Sequence, residues 1–351
     1  MTVSVALLGS LLAISALAAS ALLTRFIRGV AAGRGALDVP NARSSHGVPT
    51  PRGGGLAIVL VTTAALLALA LRGTVRLDLL AALAGGGLAV AAVGFADDRR
   101  SLSAATRLTV HFAAALWALA WLGGLPPLRV GAHLVSFGWA GYALAALGIV
   151  WAVNLFNFMD GIDGIAASEA IFVALAGALL SVPMAASTSV GLVALVLAAT
   201  CGGFLLWNWP PAKIFLGDVG SGYLGYVIVV LAVAATRDNP IALWLWLILG
   251  GAFFVDATVT LLRRALRHER VQEAHRSHAY QWLARRWGSH GKVTLAALGL
   301  NLLWLFPCAA FAARHPPLAA PTVIFALTPL AILAIVTGAG KLETNRQKPS
   351  A

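Results

Sequence analysis

Residues 136–164 read SFGWAGYALAALGIVWAVNLFNFMDGIDG. No side chain from Ser136 to Met159 carries a charge, and then Asp160 and Asp163 arrive together among glycines. A helix needs roughly 20 predominantly apolar residues to cross a bilayer, so this stretch reads as a membrane span that ends in polar chemistry. The same pattern recurs along the chain. Eleven apolar segments are expected, at about 3–23, 55–71, 78–96, 108–122, 136–153, 165–182, 186–206, 221–235, 240–262, 293–313 and 319–337. The spans near 55 and 108 are short, so ten is the alternative count. The composition agrees: 60% of residues are hydrophobic and 11% charged, far from the balance of water-soluble domains. The expected fold class is all-α, a polytopic integral membrane protein. A single transmembrane catalytic domain covers 1–337, and 338–351 form a cytoplasmic tail expected to be disordered.

The first segment has no basic residue ahead of its apolar run, because Arg25 and Arg28 follow it. It reads as a retained signal-anchor rather than a cleaved signal peptide. Cys201 and Cys308 both fall inside expected spans and read as packing residues. Short cytoplasmic loops retain Lys and Arg. With the N-terminus periplasmic, the inward segments 24–54, 97–107, 207–220, 263–292 and 338–351 hold 20 of the 25 basic residues. The net charge of +12 is therefore expected to face anionic headgroups and phosphates, and no nucleic-acid partner is implied.

Acidic residues carry more information, since near a bilayer they are costly unless paired, metal-bound or wet. Of the 13, all but Asp78 and Asp238 are expected at the inward face. Asp97, Asp98, Asp160, Asp163 and Asp218 each sit where a span meets an inward loop, so convergence on one site is expected. Glu269, Glu273 and Glu343 lie among basic residues and read as charge partners at headgroup level. Asp256 reads either as an ion pair with Arg263, seven residues on along the same helical face, or as a substrate contact.

Five segments carry the chemistry. In LDVPNARSSHGVPTPRGGG (37–55), Arg43, His46 and Arg52 either contact an anion or form a plain basic loop. In FADDRRSLSAATRL (95–108), the adjacent Asp97 and Asp98 repel each other, which favours a bound cation or one retained proton. In VNLFNFMDGIDGIAASE (153–169), Asn154, Asn157, Asp160 and Asp163 recur every three residues, with Gly161 and Gly164 expected to break the helix in the segment 154–164. Two amides and two carboxylates suit a divalent cation and the edge of a base. In WPPAKIFLGDVGSGYLG (209–225), exposed N–H groups are expected to receive a phosphate, with Asp218 holding its Mg²⁺. The spacing fits neither a Walker A loop nor a Rossmann fingerprint. In RRALRHERVQEAHRSHAYQWLARRWGSH (263–290), His275, Arg276 and His278 read as a phosphate-binding cluster beside a half-polar stretch resting on the membrane surface.

In this order, on one membrane face, the five segments resemble the polyprenyl-phosphate N-acetylhexosamine-1-phosphate transferases, over residues 38 to about 290. The resemblance implies a many-helix membrane fold in the bacterial cytoplasmic membrane, with an active site built from cytoplasmic loops. It implies a reaction between a UDP-N-acetylhexosamine and undecaprenyl phosphate that releases UMP and depends on Mg²⁺, with Mn²⁺ as its expected substitute. Carried over by motif, Asp97 and Asp98 are the paired aspartates near the reacting phosphates, with Asp97 the candidate base. Asn157 and Asp218 are the Mg²⁺ ligands. Phe215 stacks on uracil and Asp163 hydrogen-bonds it, while Asp160 and Asn154 support that wall. Arg107 matches a basic position after the paired aspartates, and His275, Arg276 and His278 match a His-rich loop near the diphosphate or sugar. Ser101 after DDRR and the run HRSH depart from the peptidoglycan branch. The nearer resemblance is to the branch that initiates O-antigen and other surface polysaccharides, with GlcNAc or a deoxy sugar such as FucNAc or QuiNAc. The alternatives are a phospho-MurNAc-pentapeptide transferase and, from another class, a secondary transporter. A transporter places its acids near the midplane of inverted repeats, and no repeat is visible here. A CDP-alcohol phosphotransferase fits DGIDG poorly, because Ala166, Ala167 and Ser168 do not continue its motif. A homodimer is compatible with the sequence.

Overall fold

The computed structural model of the chain describes residues 2–35, 37–39, 48–181, 188–269 and 275–341. Arg43, His46, Glu273, Glu343 and the tail beyond Lys341 lie outside the described residues. The chain is mostly helical. α1 (Thr2–Gly33) leads through the two-residue strands β1 (Leu37–Asp38) and β2 (Thr50–Pro51), which pair antiparallel, into α2 (Gly55–Leu71). α3 (Leu77–Ala81) continues through a π-turn at Ala82–Gly86 into α4 (Gly87–Asp97), and α5 (Ala104–Leu122) returns. A small ribbon, β3 (Leu128–Val130) with β4 (His133–Val135), precedes α6 (Gly138–Met159), α7 (Ile165–Ser181), α8 (Thr188–Asn208) and α9 (Asp218–Asp238). α10 (Ala242–Leu249), α11 (Gly251–Ala265), the short α12 (Ala279–Trp287), α13 (His290–Leu300), α14 (Phe306–Arg314) and α15 (Ala319–Thr337) complete the chain.

Among the described residues, eight helices are long and apolar enough to cross a membrane, or nine when α10 and α11 count as one span bent by 70°. α2 and α7 are shorter apolar helices. The protein is thus a multi-pass membrane protein. The exposed side chains fit that solvent: Phe26, Ile324 and Val336 are 67%, 71% and 72% exposed on α1 and α15. α9 is the opposite case, buried along nearly its whole length and packed on α2, α4, α6, α7 and α10. Small residues permit this close approach, since in lipid helices associate by packing rather than by hydrophobic exclusion. A Cβ on Gly55 would lie 2.3 Å from the Cα of Gly220, so α2 and α9 touch backbone to backbone.

Beyond shifts of up to four residues, three differences from the sequence reading stand out. α1 runs on past residue 23 to Gly33, which carries Arg25 and Arg28 on the helix. The expected span 240–262 is broken at Gly250, where the Gly250–Gly251 pair has no side chains to hold a straight path. α6 continues through Asn154 and Asn157 and ends only at Met159, so the helix break is confined to 160–164. All five chemistry-bearing segments gather at one end of the bundle, where α2, α5, α7, α9 and α13 begin and α4, α6, α8 and α11 finish.

Candidate active site

The residues before α2 form a clasp with those before α9. The Phe215 N–H donates to the Pro51 carbonyl at 2.8 Å, the Gly54 N–H to Phe215 at 2.9 Å, and the Gly55 N–H to Leu216 at 2.9 Å. This strand-like pairing carries Arg52 to the start of α9. There its Nη2 donates to Asp218 Oδ1 at 2.6 Å, while its Nε lies 2.9 Å from Asp98 Oδ1. Burial works against the Arg52 charge, but Asp218, Asp98, Asp38 and Asp160 outweigh it and raise its pKa.

Asp98, just past the end of α4, caps α9. Its Oδ1 accepts the Asp218 N–H at 2.9 Å and its Oδ2 the Val219 N–H at 3.1 Å, an anion on the positive end of a helix dipole. Gly217 makes the fit possible: its φ is +77°, and a Cβ there would stand 2.7 Å from Asp98 Oδ2. This arrangement corrects the expectation of N–H groups free to take a phosphate. Asp98 holds two of them, and Gly220 and Ser221 both donate to the Gly217 carbonyl. Asp97 is held separately, accepting from Leu102 N–H at 2.6 Å and from Arg107 Nη1 at 2.7 Å. The same Nη1 lies 4.0 Å from Asp218 Oδ2.

Asp160, immediately after α6, completes the cluster electrostatically. Burial raises its pKa well above the ordinary carboxylate value, and Asp218, Asp98 and Asp163 raise it further against the pull of Arg52. Asp98 is also raised, first by burial and then by Asp97, although Arg52 and two N–H donors oppose the shift. Four half-buried carboxylates thus face two arginines, an excess of negative charge that suits a cation. Asn157 points to the same place, its Nδ2 3.3 Å from Ser221 Oγ on the first turn of α9. Asn154, one turn earlier, instead donates to the Val150 carbonyl at 2.7 Å and meets His111 Nδ1 at 3.4 Å. Among the described residues no three His, Cys, Asp or Glu form a ready-made metal cage. Mg²⁺ does not need one, because it keeps waters and commonly takes one or two carboxylates plus substrate phosphates. The donor set of Asp218 with Asn157 fits that habit.

Asp163 lies at the far side of the 160–164 turn. Its Oδ2 accepts the Ala212 N–H at 3.1 Å, and its Oδ1 is 3.2 Å from His290 Nδ1. Asn208, buried at the end of α8, locks this turn to the next loop: its Oδ1 accepts the Gly164 N–H at 2.9 Å and its Nδ2 donates to the Ile214 carbonyl at 3.0 Å. Phe215, held in the clasp by its backbone, is half-buried. Sequence reasoning missed Asn208 and His290. The signal for Asn208 is an amide at the last position of an apolar span; His290 closes a quoted motif but has no distinguishing neighbour.

The HRSH run is built differently. Asp256, inside α11, accepts the N–H groups of Ala279 at 2.9 Å and Tyr280 at 3.0 Å, and so caps α12. This replaces both readings of Asp256 from sequence, since Arg263 donates to the Ala339 carbonyl instead. His278 is 1% exposed, with its Nδ1 3.4 Å from Asp256 Oδ1. It stacks on His275 at 4.9 Å between centroids, and both rings neighbour Phe158. Burial, then His278 and Arg264, push the His275 pKa down to about 3. Arg276 is half-buried beside them. Glu269, as expected, pairs with Arg264 and Arg267, each at 2.8 Å.

A model of the family described as Glycosyl transferase family 4 matches residues 80–236. A relative from Bacillus subtilis named probable undecaprenyl-phosphate N-acetylglucosaminyl 1-phosphate transferase is 29% identical over 271 residues, 75% of this chain and 73% of its own. A Mycobacterium leprae relative, named decaprenyl-phosphate N-acetylglucosaminephosphotransferase, is 30% identical over 299 residues, 77% of this chain and 74% of its own. A phospho-N-acetylmuramoyl-pentapeptide-transferase from Moorella thermoacetica is 35% identical, but over only 42% of this chain and 45% of its own.

Proposed function

The chain belongs to glycosyl transferase family 4, among the polyprenyl-phosphate N-acetylhexosamine-1-phosphate transferases, and on that premise we propose that it moves N-acetylglucosamine 1-phosphate from UDP-GlcNAc to undecaprenyl phosphate, releasing UMP. One observation carries the reading: Asp97, Asp98 and Asp218 meet around Arg52 and Arg107 at one end of the membrane helices. That end also holds most of the basic residues, so the positive-inside rule assigns it to the cytoplasm, where a UDP-sugar meets the inner leaflet of a bacterial membrane. The relatives matched over about three quarters of their length carry GlcNAc names, which favours that sugar over a muramyl pentapeptide or a deoxy sugar.

In the proposed step an oxygen of the lipid phosphate attacks the sugar-linked phosphorus of the donor in line, and the bond from that phosphorus to the UMP oxygen breaks. Arg52 and Arg107 hold the diphosphate between the clasp and α5. Asp98 fixes Arg52 and the first turn of α9, which sets the direction of the Asp218 carboxylate. Asp97 orients Arg107 and accepts the proton of a lipid phosphate that arrives monoprotonated. Phe215 and the Asp163 turn take the uracil, with Asn208 and His290 keeping that wall in place. When bound at Asp218 and Asn157, Mg²⁺ supplies charge neutralisation for the leaving UMP. Positioning and electrostatic stabilisation supply most of the rate in such transfers. The prenyl chain is assigned to the apolar groove of about 630 Å³ between α6, α9, the bent α10–α11 pair and α15, which Trp151, Leu243, Phe254 and Leu327 line.

The test is purified protein given undecaprenyl phosphate, Mg²⁺ and a panel of UDP-sugars. UMP release with formation of a lipid-linked diphosphate sugar is expected from UDP-GlcNAc. Release from UDP-MurNAc-pentapeptide but not from UDP-GlcNAc contradicts the donor assignment.

A further inference from the structure

A second cavity, of about 440 Å³, opens beside the reaction centre but away from the prenyl groove. It lies between the last turns of α1, the start of α2 and the end of α4. One wall is apolar, formed by Phe26, Val30, Leu56 and Phe95; the other presents Arg34 and Arg99, with Arg52 and Asp98 at its inner edge. Phe26 is 67% exposed, and the Arg99 guanidinium is packed 4.1 Å from the Phe95 ring centre. Because α1 finishes at Gly33 and α4 at Asp97, the cavity sits at the membrane–water boundary of the site end. An aromatic and basic rim over an apolar wall at that depth fits an amphiphile's headgroup and the first part of its chain.

Charge narrows the choice. Of the charges lining the cavity, Arg52 is taken up by Asp98 and Asp218, and Arg34 and Arg99 stand against Asp38, which leaves one net positive charge facing the cavity. An anionic phosphodiester headgroup carries one negative charge and balances it. A zwitterionic headgroup carries none, and a phosphate monoester carries about −1.5 to −2 at neutral pH. We propose that this cavity binds an anionic membrane phospholipid such as phosphatidylglycerol, its phosphodiester between Arg34 and Arg99 and one chain along Phe26 and Val30. Arg52 joins this cavity to Asp98 and Asp218, so an occupied headgroup site supports the alignment of the reaction centre without entering it.

The test compares wild type with Arg34→Gln/Arg99→Gln in nanodiscs of phosphatidylcholine alone and with 30 mol% phosphatidylglycerol. Native mass spectrometry reads retained lipid, a measurement independent of catalysis. Wild type is expected to retain phosphatidylglycerol over phosphatidylcholine, and the double variant to lose that preference by about fivefold or more. In the phosphatidylcholine discs both are expected to release UMP at the same rate, with phosphatidylglycerol raising the rate only in wild type. Thermal unfolding verifies that the variant is folded, and Arg99→Gln alone serves if the double variant is not. Equal retention by both proteins overturns the proposal. So does equal loss in a control, Arg72→Gln/Arg314→Gln, at the other end of the bundle. A change confined to the KM for undecaprenyl phosphate also overturns it, by giving the cavity to the acceptor.

Discussion

Asp98 and Asp256 are built alike. Each accepts two successive backbone N–H groups at the first turn of a neighbouring helix, Asp98 from Asp218 and Val219 and Asp256 from Ala279 and Tyr280. Their surroundings separate them. Asp98 faces Arg52, with Asp97, Asp160 and Asp218 near it, whereas Asp256 is closed in by His278 and Thr260, which donates to it at 3.1 Å. The same cap therefore serves two ends: one aims a charged helix start at a half-open site, and the other anchors a loop helix in the interior. An aspartate at a span end signals a cap; its like-charged company signals chemistry.

The comparison breaks most readily by exchanging the two caps. Asp98→Asn is expected to lower UMP release by about 10² to 10³-fold with little change in thermal unfolding. Asp256→Ala leaves two buried N–H groups unpaired and is expected to lower stability by about 2 kcal/mol or more, while the folded fraction keeps most of its activity. Equal effects on activity and stability in both variants would erase the distinction.

A smaller effect follows from pH. Asp160 and Asp98 hold their protons above the ordinary carboxylate range, and a cation must displace those protons. Half-saturating Mg²⁺ is expected to rise as pH is lowered, and to rise less in Asp160→Asn. A Mg²⁺ requirement independent of pH contradicts this competition between protons and cation.

The smallest effect belongs to the interior patch. The folded His275 has its pKa depressed to about 3, below the unfolded value near ~6.5. Below that unfolded value the unfolded chain binds the additional proton, so the stability that His275 contributes is complete above it and is lost as pH falls towards 3. His275→Gln is expected to flatten the fall in thermal stability between pH 6.5 and 5, with no matching change at pH 8.

Much of this was legible in the sequence, and the limits have physical causes. Each expected apolar segment corresponds to a helix or a bent helix pair, because lipid solvent imposes length and composition directly, but among the described residues eight or nine, rather than eleven, are long enough to span. The bend at Gly250 was not legible, since no charged residue interrupts the run from Pro240 to Val255. Asp97, Asp98, Asp160, Asp163 and Asp218 were expected together from their places at span ends; Asp97, Asp98 and Asp218 share two arginines, whereas Asp163 turns to Ala212 and His290. Their partners were not: that Asp98 caps α9, or that Asn208 ties Gly164 to Ile214, depends on contacts between distant segments that local pattern does not encode. Arg52 shows the intermediate case. Its loop was read as basic and anion-facing or idle, and only the clasp with Phe215 brings it between two aspartates.

The most direct measurement is Mg²⁺-dependent UMP release by Asp218→Asn, purified with undecaprenyl phosphate and UDP-GlcNAc and verified as folded by thermal unfolding. The account predicts loss of turnover by at least about 10²-fold that excess Mg²⁺ does not restore. Turnover at the wild-type rate, with the wild-type Mg²⁺ requirement, would contradict it.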